Sequence, residues 1–217
     1  MPMLRKKNED FFKTWTSSMA YVLGFFAADG AMTKGKRGNC YIEFTSKDLD
    51  HLILIRKEFS SENKIARSHV KRREECYRLQ IGSKAIFQDL VALGFSERKS
   101  LRLSLPDIPP LFFRDFIRGY FDGDGSIWVG KTHKGRVCSS HAAQVLFTSG
   151  SESFLMQIEK AMSSIIGHGR IVFHENAYRL MYSTLPSLSL YKFMYNNATL
   201  YLARKKEKFE SFIRMRL

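Results

Sequence analysis

The chain of 217 residues is long enough for one large domain or for two of about 100 residues each. Lys and Arg number 35 against 21 Asp and Glu, a net charge of +14 that points to a polyanionic partner, most simply nucleic acid; 44% hydrophobic residues exclude a disordered chain. An acidic membrane surface would answer the same charge, but there is no basic amphipathic anchor, and the longest apolar run, around Tyr21–Ala28, is too short to span a bilayer. The opening MPMLRKKNEDFF lacks the apolar core of a secretory leader, and Glu9 and Asp10 count against a transit peptide, so an intracellular location is expected. Cys40, Cys76 and Cys138 show no CxxC spacing and the histidines no HExxH, which predicts reduced thiols and no zinc site.

Residues 1–16 read as a polar, basic arm carrying Phe11, Phe12 and Trp15. Met19–Gly30, MAYVLGFFAADG, predicts a helix that Thr16, Ser17 or Ser18 could cap. Gly35–Gly38 marks a hairpin turn; beyond it Ile42 and Phe44 face one way and Asn39, Tyr41 and Glu43 the other, with Cys40 open to either side. Lys47–Phe59 carries apolar residues at helical spacing, Ala66–Val70 and Cys76–Ile81 read as a second hairpin across the charged KRREE turn, and Lys84–Gly94 as an amphipathic helix. The proline-rich LSLPDIPP of 103–110 is a linker, with Pro109 or Pro110 suited to the first turn of the next helix. The plan then repeats: the helical Phe113–Gly125, FRDFIRGYFDGDG, a hairpin within Ser126–Ser149, a helix over Glu152–Ile166, strands at Gly169–Phe173 and Ala177–Tyr182, and a helix over Leu185–Asn196. The expected division is an arm at 1–16, a first half at 17–102, a linker at 103–110 and a second half at 111–217.

The two halves are copies. Laying Asp124 on Asp29 also lays Gly119 on Gly24 and Gly125 on Gly30; Phe44-Thr45-Ser46 matches Phe147-Thr148-Ser149, Tyr77-Arg78-Leu79 matches Tyr178-Arg179-Leu180, and Arg98-Lys99 has an echo in Arg204-Lys205. Within the paired helices, Ala20, Gly24 and Ala28, and Gly119 and Gly123, line one face at four-residue spacing, so two such helices can approach closely. Gly30 and Gly125 suit left-handed helix caps. Side by side, the helices would deliver Asp29 and Asp124 together, and adjacent carboxylates call for a cation such as Mg²⁺ between them. The bland reading of each is a helix-ending Asp-Gly turn. Asp122 is a further acid whose counterpart is Ala27, and Arg118 either pairs with Asp115 or faces solvent.

Gly24–Gly30 and Gly119–Gly125 resemble the LAGLIDADG motif, whose seventh to ninth letters fall on Ala28-Asp29-Gly30 and Gly123-Asp124-Gly125. With two copies in a basic chain, the sequence is similar to a monomeric LAGLIDADG homing endonuclease over nearly its whole length from Ser17. The resemblance implies an α+β fold of pseudo-twofold tandem αββαββα repeats, whose two curved antiparallel sheets form a DNA-binding saddle around two packed motif helices. It implies a site-specific, intron-associated double-strand DNA endonuclease acting at a long asymmetric target. Metal would be held by Asp29 and Asp124 with the carbonyls of Ala28 and Gly123: Mg²⁺, with Mn²⁺ substituting and Ca²⁺ supporting binding without cleavage. Lys99 and Lys205 match the basic residue near each scissile phosphate, and Ser46 and Ser149 a polar strand end that orients water, with Lys47 a further candidate. On the DNA side of the saddle, alternation places Thr33, Arg37, Asn39, Tyr41, Glu43 and Arg78 in the first half; Trp128, Thr132, Lys134, Gln144 and Arg179 follow in the second, with Arg72, Arg170 and His174 added. The same fold could serve as an RNA-splicing maturase, with the host intron RNA as partner, or as a non-cleaving DNA-binding protein; the presence of both aspartates favours cleavage. An intein-embedded enzyme is not supported, since the sequence neither begins with Cys or Ser nor ends in His-Asn.

Overall fold

The computed structural model describes residues 5–68, 75–97, 102–132 and 140–216; Arg72, Lys99 and Lys134, and most of the KRREE turn, lie outside them. Helix α1 (Ser17–Asp29) runs directly into β1 (Gly30–Lys34), followed by β2 (Cys40–Ser46), α2 (Leu49–Glu58), β3 (Ile65–Ser68), β4 (Cys76–Gly82) and α3 (Lys84–Ala92). The order recurs as α4 (Pro110–Asp124), β5 (Gly125–Thr132), β6 (Ser140–Ser149), α5 (Glu152–Ile166), β7 (Arg170–His174), β8 (Ala177–Tyr182) and α6 (Thr184–Tyr195). A last helix, α7 (Ala203–Arg214), is not anticipated by the sequence reading.

Each set of strands forms an antiparallel four-stranded sheet, β1-β2-β4-β3 and β5-β6-β8-β7. The sequence repeat is also a repeat of register. Gly30 pairs with Phe44 and Phe44 with Leu79, as Gly125 pairs with Phe147 and Phe147 with Leu180. Thr45 opposite Arg78 recurs as Thr148 opposite Arg179. Side chains alternate across each strand, so Cys40, Ile42 and Phe44 share the buried face of β2, and Cys40, ambiguous by sequence, falls inside.

Two compact units result, Met1–Lys99 with Pro106–Gly123, and Ser100–Leu105 with Asp124–Leu217. The second motif helix therefore packs into the first unit, although by sequence it opens the second half. Its contact with α1 uses the small residues. A Cβ added at Gly24 would lie 2.0 Å from the carbonyl oxygen of Phe116, and one added at Gly119 would lie 2.0 Å from that of Tyr21. Each glycine thus meets the same turn of the opposite helix, and only hydrogen fits there. Around this seam Phe25, Phe26, Phe44 and Phe59 are fully buried, with Phe26 edge-on to Phe44 at 5.5 Å between ring centroids.

Thr16 caps α1, its Oγ1 accepting from the Met19 amide at 3.0 Å. The opposite end departs from expectation. Gly30 is extended, at φ −88° and ψ 155°, and not left-handed. Glycine is needed there because Phe26 folds back over the junction: a Cβ would sit 2.1 Å from its ring and 2.5 Å from its carbonyl oxygen. Arg118 is buried rather than solvent-facing. Its Nη2 donates to Asp115 Oδ1 at 2.6 Å, and its guanidinium lies over the Tyr21 ring. Tyr21 Oη in turn donates to Asp122 Oδ2 at 2.6 Å, which leaves His51 Nε2, 3.2 Å away, as donor to the same oxygen. Asp122 is thereby tied into the core of the first unit.

In the second unit Tyr182 is fully buried, and its hydroxyl has no hydrogen-bond partner among the described residues. Burial, with the nearby Glu159 charge, pushes its phenol up from the ordinary range. Replacing the hydroxyl by hydrogen removes an uncompensated desolvation of roughly 1–3 kcal/mol. Tyr182→Phe is therefore expected to hold or raise the thermal midpoint, by roughly 2–4 °C for each kcal/mol regained; a fall in a melting experiment would show that the hydroxyl is satisfied.

Candidate nucleic-acid interface and acidic helix ends

The motif helices end in the same way. Asp29 closes α1 and Gly30 opens β1; Asp124 closes α4 and Gly125 opens β5. Each aspartate thus stands where a packed helix becomes the first strand of a sheet. Asp29 is half-buried and Asp124 exposed. At the end of the first unit, a Cβ on Gly123 would come within 2.3 Å of the Ala28 Cβ and 3.3 Å of Asp29 Oδ2. The Asp29 carboxylate therefore lies against a residue with no side chain, and Asp124 is the next residue in the chain. Among the described residues no group of three or more His, Cys, Asp or Glu gathers. Carboxylate oxygens such as these are hard donors of the kind that suits Mg²⁺ or Ca²⁺.

Lys205 lies in the first turn of α7, buried, with Nζ donating to the carbonyl oxygen of Gly125 at 2.7 Å. It braces the strand end beside Asp124 within the second unit. The sequence signal for this helix was Lys205, Phe209 and Phe212, buried at spacings of four and three within an otherwise charged segment. Its first-half counterpart, Lys99, lies outside the described residues.

Ser46 and Ser149 have local partners. Ser46 Oγ accepts from the Asp48 amide at 3.1 Å and Ser149 Oγ from the Ser151 amide at 3.0 Å, the same turn before α2 and α5. Lys47 is exposed on the first of these turns.

The open face of the first sheet carries Thr33, Tyr41, Glu43 and Arg78, as alternation predicts, and also Thr45 and Gln80, which the sequence reading omitted. Arg37 and Asn39 are exposed in the β1–β2 turn rather than on a strand. Glu43 is held by its neighbours: Arg78 Nη1 is 3.6 Å from Oε2 and Gln80 Nε2 donates to it at 3.3 Å. On the second sheet the open face holds Trp128, Thr132, Gln144, Arg170, His174 and Arg179, with Leu146, Thr148, Val172 and Met181 among them. Arg179 Nη2 donates to Glu175 at 2.8 Å, and His174 Nδ1 is 3.3 Å from the same carboxylate. Among the described residues no helix is long and apolar enough to cross a membrane.

Residues 112–183 match the family model of the LAGLIDADG-like domain. Over that segment the chain is similar to the LAGLIDADG-like domain, and its α+β architecture of two four-stranded antiparallel sheets shares the fold of the LAGLIDADG meganuclease structures it matches. Among solved structures it is similar to the LAGLIDADG meganuclease I-AabMI bound to uncleaved DNA, with a TM-score of 0.63 at 13% identity over 89% of this chain and 88% of that one. It is similar to I-SmaMI bound to an uncleaved DNA target in the presence of calcium ions, with a TM-score of 0.62 at 13% identity over 93% and 90% of the two chains. The I-LtrWI LAGLIDADG homing endonuclease bound to target DNA gives a TM-score of 0.61 at 15% identity over 96% and 90%. No curated protein sequence matches the chain.

Proposed function

We propose that this protein is a site-specific, divalent-metal-dependent double-strand DNA endonuclease of the homing type. The observation that carries the reading is the recurrence of one Asp-Gly junction, Asp29-Gly30 and Asp124-Gly125, at equivalent register positions of two sheets in a chain of net charge +14. A silent DNA-binding fold has no use for carboxylates at both helix ends, where they repel phosphate. The DNA seen in the similar meganuclease and homing endonuclease structures supports a duplex as the partner.

In this reading Asp29 with the carbonyl of Ala28, and Asp124 with that of Gly123, would supply metal ligands; Mg²⁺ is the working ion, with Mn²⁺ able to replace it and Ca²⁺ supporting binding alone. A cation held there would lower the pKa of the attacking water and stabilise the leaving oxygen. The protein's own part is positional. The sheet faces present Thr33, Tyr41, Glu43, Arg78, Trp128, Gln144 and Arg179 to base edges and phosphates, with Arg37, Asn39, Thr132, Arg170 and His174 at their margins. Lys205 fixes the strand that follows Asp124 by donating to the Gly125 carbonyl, and Lys99 is its counterpart in the sequence repeat. The chain acts as a monomer on an asymmetric target.

Incubation of a supercoiled plasmid library of candidate insertion sites with the protein and Mg²⁺ is expected to linearise specific members. EDTA should stop the reaction, and Ca²⁺ should leave a salt-sensitive complex uncut. Specific binding without cleavage in Mg²⁺ or Mn²⁺ would refute the nuclease assignment and leave a DNA-binding protein or a maturase.

A further inference from the structure

The two sheets share one register but present different chemistry at the centre of their open faces. Aligning Phe44 with Phe147 and Leu79 with Leu180 places Glu43 and Gln80, which face each other across β2 and β4, on Leu146 and Met181, which face each other across β6 and β8. The substitution is a polar, hydrogen-bonded pair in one sheet for an aliphatic pair in the other. On the edge strand Thr33 corresponds to Trp128, whose indole is 48% exposed, while Tyr41 across from Thr33 corresponds to Gln144. The Trp128 ring lies flat along its own strand over Gly130, where a Cβ would come within 2.2 Å of it. Val172, opposite Arg179, extends Leu146 and Met181 into a half-buried strip beside the exposed Ser126, while the basic side chains Arg170, His174 and Arg179 sit on β7 and β8 at its side.

A half-exposed apolar strip on an open sheet face favours an apolar counterpart. In a DNA major groove the apolar feature is the C5-methyl of thymine; Glu accepts from cytosine N4, and Gln pairs with adenine. We infer that the second unit recognises its half-site through thymine methyl groups packed on Leu146, Met181 and Trp128, whereas the first reads bases through the Glu43, Gln80 and Arg78 cluster. The specificity of the two half-sites is then of different physical kinds. The inference rests on the DNA-binding function proposed above and assigns the groups read by one of its faces.

The test begins with selection of bound duplexes from a randomised library by the full chain in Ca²⁺, followed by replacement of each selected thymine with deoxyuracil, which removes only the methyl. In one half-site each methyl removed in contact with the strip is expected to weaken binding about fourfold, the factor for taking one such group out of an apolar contact; in the other half-site the change should be negligible. The double variant L146E/M181Q installs the first sheet's pair on side chains that the fold leaves half-exposed. It should keep its thermal midpoint, select a different sequence in that half-site and lose sensitivity to uracil there. Uracil tolerated throughout a specifically bound site, or a methyl effect unchanged in the variant, overturns the inference and leaves DNA binding standing. The same holds if the variant binds DNA as before but loses self-association, since the strip would then be a protein interface. No sequence-selective duplex at all would overturn this inference together with the nuclease reading.

Discussion

Asp29→Asn and Asp124→Asn are each expected to abolish cleavage while leaving the DNA complex intact. Asparagine has the volume of aspartate and keeps an oxygen for backbone hydrogen bonds, so neither helix end should repack. What it removes is the charge that attracts a hard divalent cation. Loss of several kcal/mol of transition-state stabilisation corresponds to roughly three orders of magnitude in rate. Binding measured in Ca²⁺-free buffer should be unchanged or slightly tighter, because a carboxylate near phosphate is repulsive. Single-turnover cleavage and gel-shift titration on one selected target separate the two effects. Wild-type cleavage by either variant would reduce that aspartate to a helix end and sink the metal assignment for it.

Gly24→Ala and Gly119→Ala are expected to destabilise the first unit severely, against the intrinsic preference of the helix. In an isolated helix the change from glycine to alanine is favourable by about 1 kcal/mol. Here each new methyl would lie 2.0 Å from a backbone carbonyl oxygen of the facing helix, Phe116 or Tyr21. Backbone cannot rotate out of the way as a side chain can, so the helices must separate along their whole seam. Overpacking of this kind costs roughly 1–3 kcal/mol and occasionally more, and separation also loosens Arg118, Tyr21 and Asp122, which share the seam. The thermal midpoint should fall by roughly 2–4 °C per kcal/mol lost. Gly130→Ala is the contrast, since the atoms in its way belong to the partly exposed Trp128 indole, which can move. A midpoint raised by alanine at Gly24 or Gly119 would mean that the helices do not pack as described.

Much of this molecule is local in its physics and was legible in the sequence. Alternation of two and spacing of four depend only on residues a few positions apart, so the order of helices and strands, the inward side of Ile42 and Phe44, the small faces of α1 and α4 and the repeated Asp-Gly could be read directly. The duplicated Phe-Thr-Ser and Tyr-Arg-Leu segments fall at equivalent register positions of the two sheets, a pairing that the repeat alone did not specify. Tertiary structure decided what depended on distant groups. Gly30 is extended because Phe26 covers the junction, where sequence alone suggested a left-handed cap. Arg118 is buried because Asp115 and the Tyr21 ring receive it, a choice its own helix left open. Lys205 of helix α7 is buried because it reaches the Gly125 carbonyl, a bond across remote segments. In the run Gln144–Phe147 alternation puts Leu146 on the face of Gln144, but only pairing with β8 shows that Met181 stands across from it. Composition and periodicity thus set the class of fold and the acidic helix ends, while the chemistry of each face was set by which remote residues came to lie across from one another.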